Sequence, residues 1–193
     1  MAPYPPEIEQ YVQQKVLSGQ FRSREELEVK ALRVYRDLET KHAQLKADVR
    51  AAIDESGRGL SLPLDIEAIN AELIAEFGMD RGMNDGPKNE CVFRILLTPL
   101  GRRDLKETAA TENSRSAHGA FFFLHSAANE LSKFAALPAA GEVCFDLADD
   151  IRRFVIDTYK NQYLVFYRRV AGGIEVLRIL DESRDVPAVL RDH

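Results

Sequence analysis

Cysteine is scarce in this 193-residue chain, which contains only Cys91 and Cys144. Two thiols without a short spacing form neither a disulfide framework nor a zinc site. The four histidines are scattered, and only His118 and His125 are spaced to share a helix face. Because no carboxylate lies between them at a metal-ligand spacing, we expect neither a metal site nor a bound cofactor.

Long apolar runs and an excess of basic charge are also missing. No apolar run approaches the ~20 residues of a membrane span, and the acidic, proline-rich start is unlike a signal peptide. We therefore expect a cytoplasmic protein. The formal net charge is −5, and neither the residues before Met83 nor those after it are basic as a group. A general nucleic-acid binder is disfavoured, because such proteins attract phosphate with a basic surface.

Three helical patterns are present in the first part of the chain. Residues 7–17 and a longer run that ends near Ile53 repeat apolar residues at helical spacing. Ser23 and Glu26 form a capping box at the start of the longer run. A third helix is predicted from Asp65, its N-cap, to Phe77. A helix of this length is marginal alone in water, so it either folds back on the first two helices or docks in a groove. Its apolar stripe consists of Ile66, Ile69, Leu73, Ile74 and Phe77.

Residues 80–90 have the composition of a linker. They are rich in glycine, asparagine and aspartate and show no hydrophobic period. Met83, followed by polar residues, resembles the start of a second chain. We interpret the sequence as two proteins joined head to tail, a helical part at 1–79 and a second part at 91–193. Tethering raises the effective concentration of the first part to about millimolar.

The second part predicts an α+β domain in which an αα-hairpin packs on an antiparallel sheet. Its predicted elements are a strand at 91–98, a turn at 99–101, helices at 102–112 and 117–134, and strands at 143–145 and 151–156. A hairpin at 163–180 ends the domain, and Gly172 and Gly173 are expected to supply the positive φ of its turn.

Alternation along the two strands of this hairpin predicts which side chains share a face. In the first strand, Leu164 and Phe166 face away from Tyr163, Val165 and Tyr167. In the second strand, one face is predicted to hold Ile174, Val176, Arg178 and Leu180, and the other Glu175, Leu177 and Ile179.

Arg168 and Arg178 stand out in this hairpin, because an arginine in a half-buried strand needs a partner. A structural ion pair, such as Arg178 with Glu175 or Arg184 with Asp185, is one alternative. The other is a carboxylate of the masking first part, such as Glu67, Glu72 or Glu76.

Several segments of the second part carry a family resemblance. They are residues 93–98, 104–105, 137–138, Gly141, 151–152, 163–168, 173–180 and 184–185. On these segments, residues 91–190 resemble a ParE-type toxin of the RelE/ParE superfamily. The first part resembles a ParD-type antitoxin, with a degenerate ribbon-helix-helix, on residues 6–9, 15–23, 25–26 and 63–69.

The two resemblances imply a type II toxin–antitoxin module of the plasmid-stabilisation kind. The helix at 65–77 would wrap the toxin by intramolecular contact, and the toxin would inhibit DNA gyrase. The resemblance also implies a homodimer and operator DNA as partners of the first part. The strand that contacts DNA in such antitoxins is reduced here to residues 1–4 and interrupted by prolines. This interruption disfavours DNA binding, and an autorepressor, which needs an intact strand and a dimer, is a third reading.

An mRNA-cleaving ribonuclease of the same fold is the enzymatic alternative. Its candidate residues are Tyr167, as proton donor, with Arg168, Arg178 and Arg184. The last strand is followed by Asp181, Glu182 and Ser183. Acidic residues there repel RNA, so the sequence favours gyrase inhibition and no enzymatic activity.

Overall fold

The computed structural model describes residues 4–77, 93–116, 118–148, 150–158 and 161–181. Its contacts divide the chain into two compact units, residues 1–43 and 44–193. The predicted linker at 80–90, the residues 1–3 of the shortened strand, and Arg184 lie outside the described residues. The division into parts at 1–79 and 91–193 therefore stays a prediction.

The first unit holds helix α1, Pro6–Leu17, and the start of helix α2, Arg24–Gly57. Ser23 caps α2, because its Oγ accepts a hydrogen bond from the Glu26 amide at 3.3 Å. The Glu26 carboxylate accepts from the amide of Arg22 at 2.7 Å, one residue before the position that a capping box predicts. Arg24 joins the two helices through a two-pronged ion pair with Glu9, at 3.1 and 2.7 Å.

The second unit contains the rest of α2, three further helices and a sheet. The helices are α3, Ile66–Phe77, α4, Pro99–Arg115, and α5, Gly119–Ala136. The strands are β1, Leu62–Pro63, β2, Arg94–Leu97, β3, Glu142–Val143, β4, Ile151–Asp157, β5, Gln162–Val170, and β6, Gly173–Asp181. They form one sheet in the order β1-β2-β6-β5-β4-β3. The αα-hairpin on a sheet agrees with the prediction.

The sheet is mixed, so the prediction of an antiparallel sheet is wrong at one position. Strand β2 is antiparallel to β1 but parallel to β6. Two parallel neighbours need a long connection between them. Here α4, α5 and the meander of β3 to β5 supply that connection, and they return the chain beside β2 in its own direction.

The predicted turn at 99–101 is instead the first turn of α4. Thr98 is the N-cap, since its Oγ1 accepts a hydrogen bond from the Gly101 amide at 3.0 Å. Pro99 suits the first helical position, because it has no amide hydrogen to satisfy. A Cβ on Gly101 would lie 2.8 Å from the carbonyl oxygen of Val176. Glycine therefore allows the start of α4 to pack closely on β6.

Side chains of the sheet belong to two apolar clusters, one on each face. Tyr163, Val165 and Tyr167 join the cluster beneath α3, α4 and α5. Leu164 and Phe166 join the opposite cluster, which contains residues of α2. The alternation predicted for β5 is confirmed.

The alternation predicted for β6 holds through Leu177 and fails beyond it. The register with β5 shifts between Phe166, which pairs with Arg178, and Tyr167, which pairs with Val176. Leu177 is the extra residue of this bulge, and a bulge reverses the alternation that follows it. Ile179 therefore shares the helix-side cluster with Val176, whereas Leu180 lies in the opposite cluster.

The two glycines of the hairpin have different roles. Gly172 has a φ of 81°, as predicted for the turn, but Gly173 is not among the residues with positive φ. A Cβ on Gly173 would overlap the carbonyl oxygen of Arg94 on the neighbouring strand. Gly173 is thus required by the close approach of β2.

Candidate functional site

Residues 44–77, here called the clamp, contact the domain formed by residues 93–181 on three sides. The second half of α2 lies on the sheet face opposite α4 and α5. Its side chains Leu45, Val49 and Ala52 are 2%, 1% and 0% exposed. They pack in one cluster with residues of β4, β5 and β6, which include Ile151, Leu164, Phe166, Leu177 and Leu180. Full burial of a leucine or valine contributes about 1.5–3 kcal/mol.

Strand β1 extends the sheet at the edge of β2. Leu62 pairs with Leu97 and Pro63 with Leu96. The pairing continues at Leu64, whose amide donates to the carbonyl oxygen of Ile95 at 2.9 Å. The clamp therefore satisfies part of an edge that would otherwise offer free backbone groups.

Helix α3 packs against α4 and α5. Asp65 is its N-cap as predicted, because Oδ1 accepts from the Ala68 amide at 2.9 Å. From the predicted stripe, Ile66, Ile69 and Leu73 are buried in the helix-side cluster, and Ile74 is half-buried. The side chain of Phe77 lies outside the described residues. Two placements were predicted for this helix, and in the structure it docks on the second part of the chain.

The acidic side of α3 faces basic residues of α4. Arg102 binds Glu72 at 2.5 Å, and Lys106 binds Glu72 at 3.3 Å and Glu76 at 2.8 Å. Desolvation raises the pKa of Glu72, but the hydrogen bonds from Arg102 and Lys106 outweigh it, and the net shift is downward. The examples Glu67, Glu72 and Glu76 do not supply the partner predicted for Arg168 or Arg178, but another carboxylate of the first part, Asp48, lies 3.2 Å from Arg178. The acidic residues Glu72 and Glu76 of α3 instead pair with Arg102 and Lys106 of α4.

Arg178 is buried between two carboxylates. Its Nε donates to Oδ2 of Asp104 at 2.6 Å, and its Nη1 lies 3.2 Å from Oδ2 of Asp48 in the clamp. Asp104 also accepts from the amide of Ile179 at 3.0 Å. Burial lowers the pKa of Arg178, but the two carboxylates, Asp104 foremost, raise it by more than burial lowers it. The net shift is therefore upward. The alternative pair of Arg178 with Glu175 does not form.

Glu175 instead pairs with Arg168, at 2.6 Å between Oε2 and Nε. Two serines of the clamp complete this site. The Oγ of Ser56 lies 2.7 Å from both carboxylate oxygens, and the Oγ of Ser61 donates to Oε1 at 2.6 Å. Arg168 also donates to Ser56. Burial raises the pKa of Glu175, but hydrogen bonds from Ser61, Ser56 and Arg168 lower it by more.

A further polar contact joins the clamp to the start of α4. The carboxylate of Glu55 accepts from the amide of Leu100 at 2.9 Å. This amide belongs to the first turn of a helix, where amides lack partners within the helix and favour an anion. Asp48, Glu55 and Ser56 thus add three polar side chains to the contacts that α2 makes through its apolar face.

Of the proposed ribonuclease residues, Tyr167 and Arg168 lie on opposite faces of the sheet, and Arg184 lies outside the described residues. Tyr167 is fully buried on the helix side, where its hydroxyl donates to the carbonyl oxygen of Pro138 and accepts from the amide of Gly141, both at 3.0 Å. Arg168 is its neighbour in β5 and points to the opposite face. Burial raises the pKa of Tyr167. A buried hydroxyl with two main-chain partners is a structural group.

Another buried tyrosine site lies at the far end of β5. The Tyr163 hydroxyl donates to Glu112, whose Oε1 also accepts from Arg115 at 2.6 Å and from Asn161 at 2.8 Å. Burial, with the hydrogen bond to Glu112, raises the pKa of Tyr163 well above its ordinary value. These contacts tie the end of α4 to the β4–β5 connection, which is a structural role.

Within the described ranges, no group of three or more histidine, cysteine or acidic side chains is placed to hold a metal ion. Among the helices in the described part of the chain, none is long and apolar enough to cross a membrane. No protein-family model matches the chain, and a search of curated proteins found none similar to it.

Sequence reasoning missed most of the polar contacts of the clamp. Asp48 lies three residues after Leu45, and Ser56 four residues after Ala52, so both belong to the apolar face of α2. A polar residue that interrupts such a face signals a polar group on the surface it covers. The partner itself was not accessible, because Arg178 and Glu175 are distant in sequence.

Proposed function

We propose that this chain is a type II toxin–antitoxin module in a single polypeptide. Residues 1–79 act as the antitoxin, and residues 91–193 form a ParE-like toxin with the RelE/ParE fold. The toxin inhibits DNA gyrase when it is uncovered. The family resemblance of both parts and the wrapping of the second part by the clamp support this proposal.

The clamp contacts are the observation that carries the proposal. A single segment covers a sheet face with α2, a sheet edge with β1 and the helical layer with α3. An ordinary linker between two domains does not need to pack apolar side chains against two opposite faces of one domain. A segment that neutralises a binding surface does, because covering that surface requires many simultaneous contacts.

The burial of Tyr167 favours gyrase inhibition over mRNA cleavage. Proton transfer requires a group within hydrogen-bond reach of the substrate, and the hydroxyl of Tyr167 is enclosed on the helix side of the sheet. Autorepression and a homodimer through the first unit stay predictions.

Expression of residues 83–193 alone tests the proposal. We expect arrested growth, and normal growth when the full chain is expressed at the same level. A full-chain variant with Ile69→Asp and Leu73→Asp should also arrest growth, because both buried positions of α3 then lose their docking surface. The exposed substitution Glu67→Asp is the matched control and should be harmless.

A purified sample then separates the two targets. The released second part should inhibit supercoiling of plasmid DNA by gyrase and leave mRNA intact. Cleavage of RNA without gyrase would favour the ribonuclease instead. Normal growth of cells with folded residues 83–193 would contradict both readings.

A further inference from the structure

The second half of α2 runs antiparallel to β6, and two polar contacts mark its position. Asp48 meets Arg178, and Ser56 meets Glu175. Ser56 follows Asp48 by eight residues, which is about 12 Å along a helix. Glu175 precedes Arg178 by three residues, but because of the bulge at Leu177 their β5 partners, Arg168 and Phe166, are only two residues apart, which is about 7 Å along a strand. Each polar group on the helix nevertheless has its own partner on the strand, in antiparallel order.

A slip of α2 by one turn would break both contacts at once. In one direction Ala52 would come opposite Arg178. In the other direction Ala52 would come opposite Glu175, and Gln44 opposite Arg178. Either slip places the methyl group of Ala52 against a buried charged pair. That pair then loses its polar partner on α2, and the methyl group cannot replace it. The apolar contacts of Leu45 and Val49 are non-directional and do not by themselves prevent such a slip.

Both charged pairs are complete without the clamp. Arg178 keeps Asp104, and Arg168 keeps Glu175, because all four residues belong to the domain. Asp48 and Ser56 are therefore additional partners, and their removal leaves no buried charge of the domain unpaired. Groups of this kind contribute to the choice between alternative partners more than to the folding of the domain, since a mismatch is penalised.

We infer that Asp48 and Ser56 are specificity-determining residues that fix the register of α2 on β6, so that the domain accepts this clamp and rejects apolar helices of other sequence. Glu55 adds a third contact, at the start of α4. The inference rests on the proposed function only in calling the clamp an antitoxin segment. Whether Asp48 and Ser56 fix the register of α2 on β6 does not depend on that function.

The test uses the full chain and a charge relocation across the contact. Ser56→Asp places a second carboxylate against Glu175. The repulsion should detach α2 from the sheet more often, which is here called opening of the clamp. Adding Glu175→Ser moves the carboxylate from β6 to α2, where it again pairs with Arg168, and should close the clamp. Leu45→Ala is the matched control, because it weakens an apolar contact that Glu175→Ser cannot restore.

Cys144 reports the opening. It is buried in the same cluster as Leu45, Val49 and Ala52, and burial raises the pKa of its thiol to about 11. In a Cys91→Ser background, the rate of its reaction with an aromatic disulfide reagent measures how often the clamp opens. A weak dependence of this rate on denaturant distinguishes clamp opening from global unfolding, which exposes more surface.

We expect Ser56→Asp to accelerate labelling by about tenfold, the effect of a coupling near 1.4 kcal/mol. The double variant should return to within about threefold of the parent chain. The inference is overturned if Ser56→Asp labels like the parent, or if Glu175→Ser rescues Leu45→Ala as well as it rescues Ser56→Asp. Labelling does not depend on gyrase, so a failed growth assay with intact coupling would refute the proposed function alone.

Discussion

Arg178 on β6 donates to Asp104 on α4 at 2.6 Å, across 74 residues of sequence. Both side chains are buried, and Asp104 also holds the backbone amide of Ile179. This pair joins the part of β6 beyond the end of β2 to the helical layer.

Asp104→Ala should therefore destabilise the chain strongly. Removing one partner of a buried pair costs about 3–5 kcal/mol, and we expect the low end because Asp48 remains beside Arg178. Asp48→Ala is the control and should cost about 1 kcal/mol, since the pair inside the domain survives. Denaturant unfolding of the two variants measures the difference. Equal losses would contradict the distinction between a domain contact and a clamp contact.

The pH dependence of stability should report Glu175. Its pKa is lowered in the folded chain, so the folded state binds a proton less readily than the unfolded state. The stabilisation is complete above the ordinary glutamate pKa of about 4.3. It is lost as the pH falls from there through the folded-state value. Glu175→Gln should flatten this part of the profile of unfolding free energy against pH. An unchanged profile would assign the acid sensitivity to other carboxylates.

The docking of α3 depends on its apolar stripe more than on its ion pairs. Leu73 is 0% exposed, and Leu73→Ala should cost about 2–5 kcal/mol. Glu76→Ala removes an ion pair at the surface and should cost less than about 1 kcal/mol. Thermal unfolding of both variants, with hydrogen exchange of the α3 amides, measures the two losses. The reverse ranking would show that α3 is held electrostatically.

Tyr167→Phe separates the structural role of this residue from the catalytic one. It leaves the carbonyl oxygen of Pro138 and the amide of Gly141 without their partner, which should cost about 1–3 kcal/mol. In the isolated second part, inhibition of gyrase should persist at temperatures where the variant remains folded. Loss of an RNA-cleaving activity by the folded variant would instead restore the ribonuclease reading.

The hairpin turn offers a local check on the fold. Gly172 has a φ of 81° and open space around its Cβ position, whereas Gly173 faces the backbone of Arg94. Gly172→Ala should cost about 1–2 kcal/mol, the strain of a left-handed residue. Gly173→Ala should cost more, since β2 must move away from β6. Comparing the denaturant midpoints of the two variants tests whether the parallel pairing is as close as described.

The sequence by itself determined the features that depend on neighbouring residues. The N-caps Ser23 and Asp65 and the stripe of Ile66, Ile69 and Leu73 follow from backbone and side-chain geometry within a few turns. The alternation of β5 follows from the period of a strand. These were predicted, and for the same reason the docking surface of α3 could be foreseen as apolar.

Only the tertiary structure decided the features that depend on distant segments. The parallel placement of β2 beside β6 and the bulge at Leu177 result from how the meander closes on the first strand. The partners of Arg178 and Arg168 result from which elements lie on each face of the sheet. The sequence shows that an arginine within a buried strand needs a partner, because burial of an unpaired charge has a cost. Its partner cannot, because any carboxylate that the fold brings within reach will satisfy it.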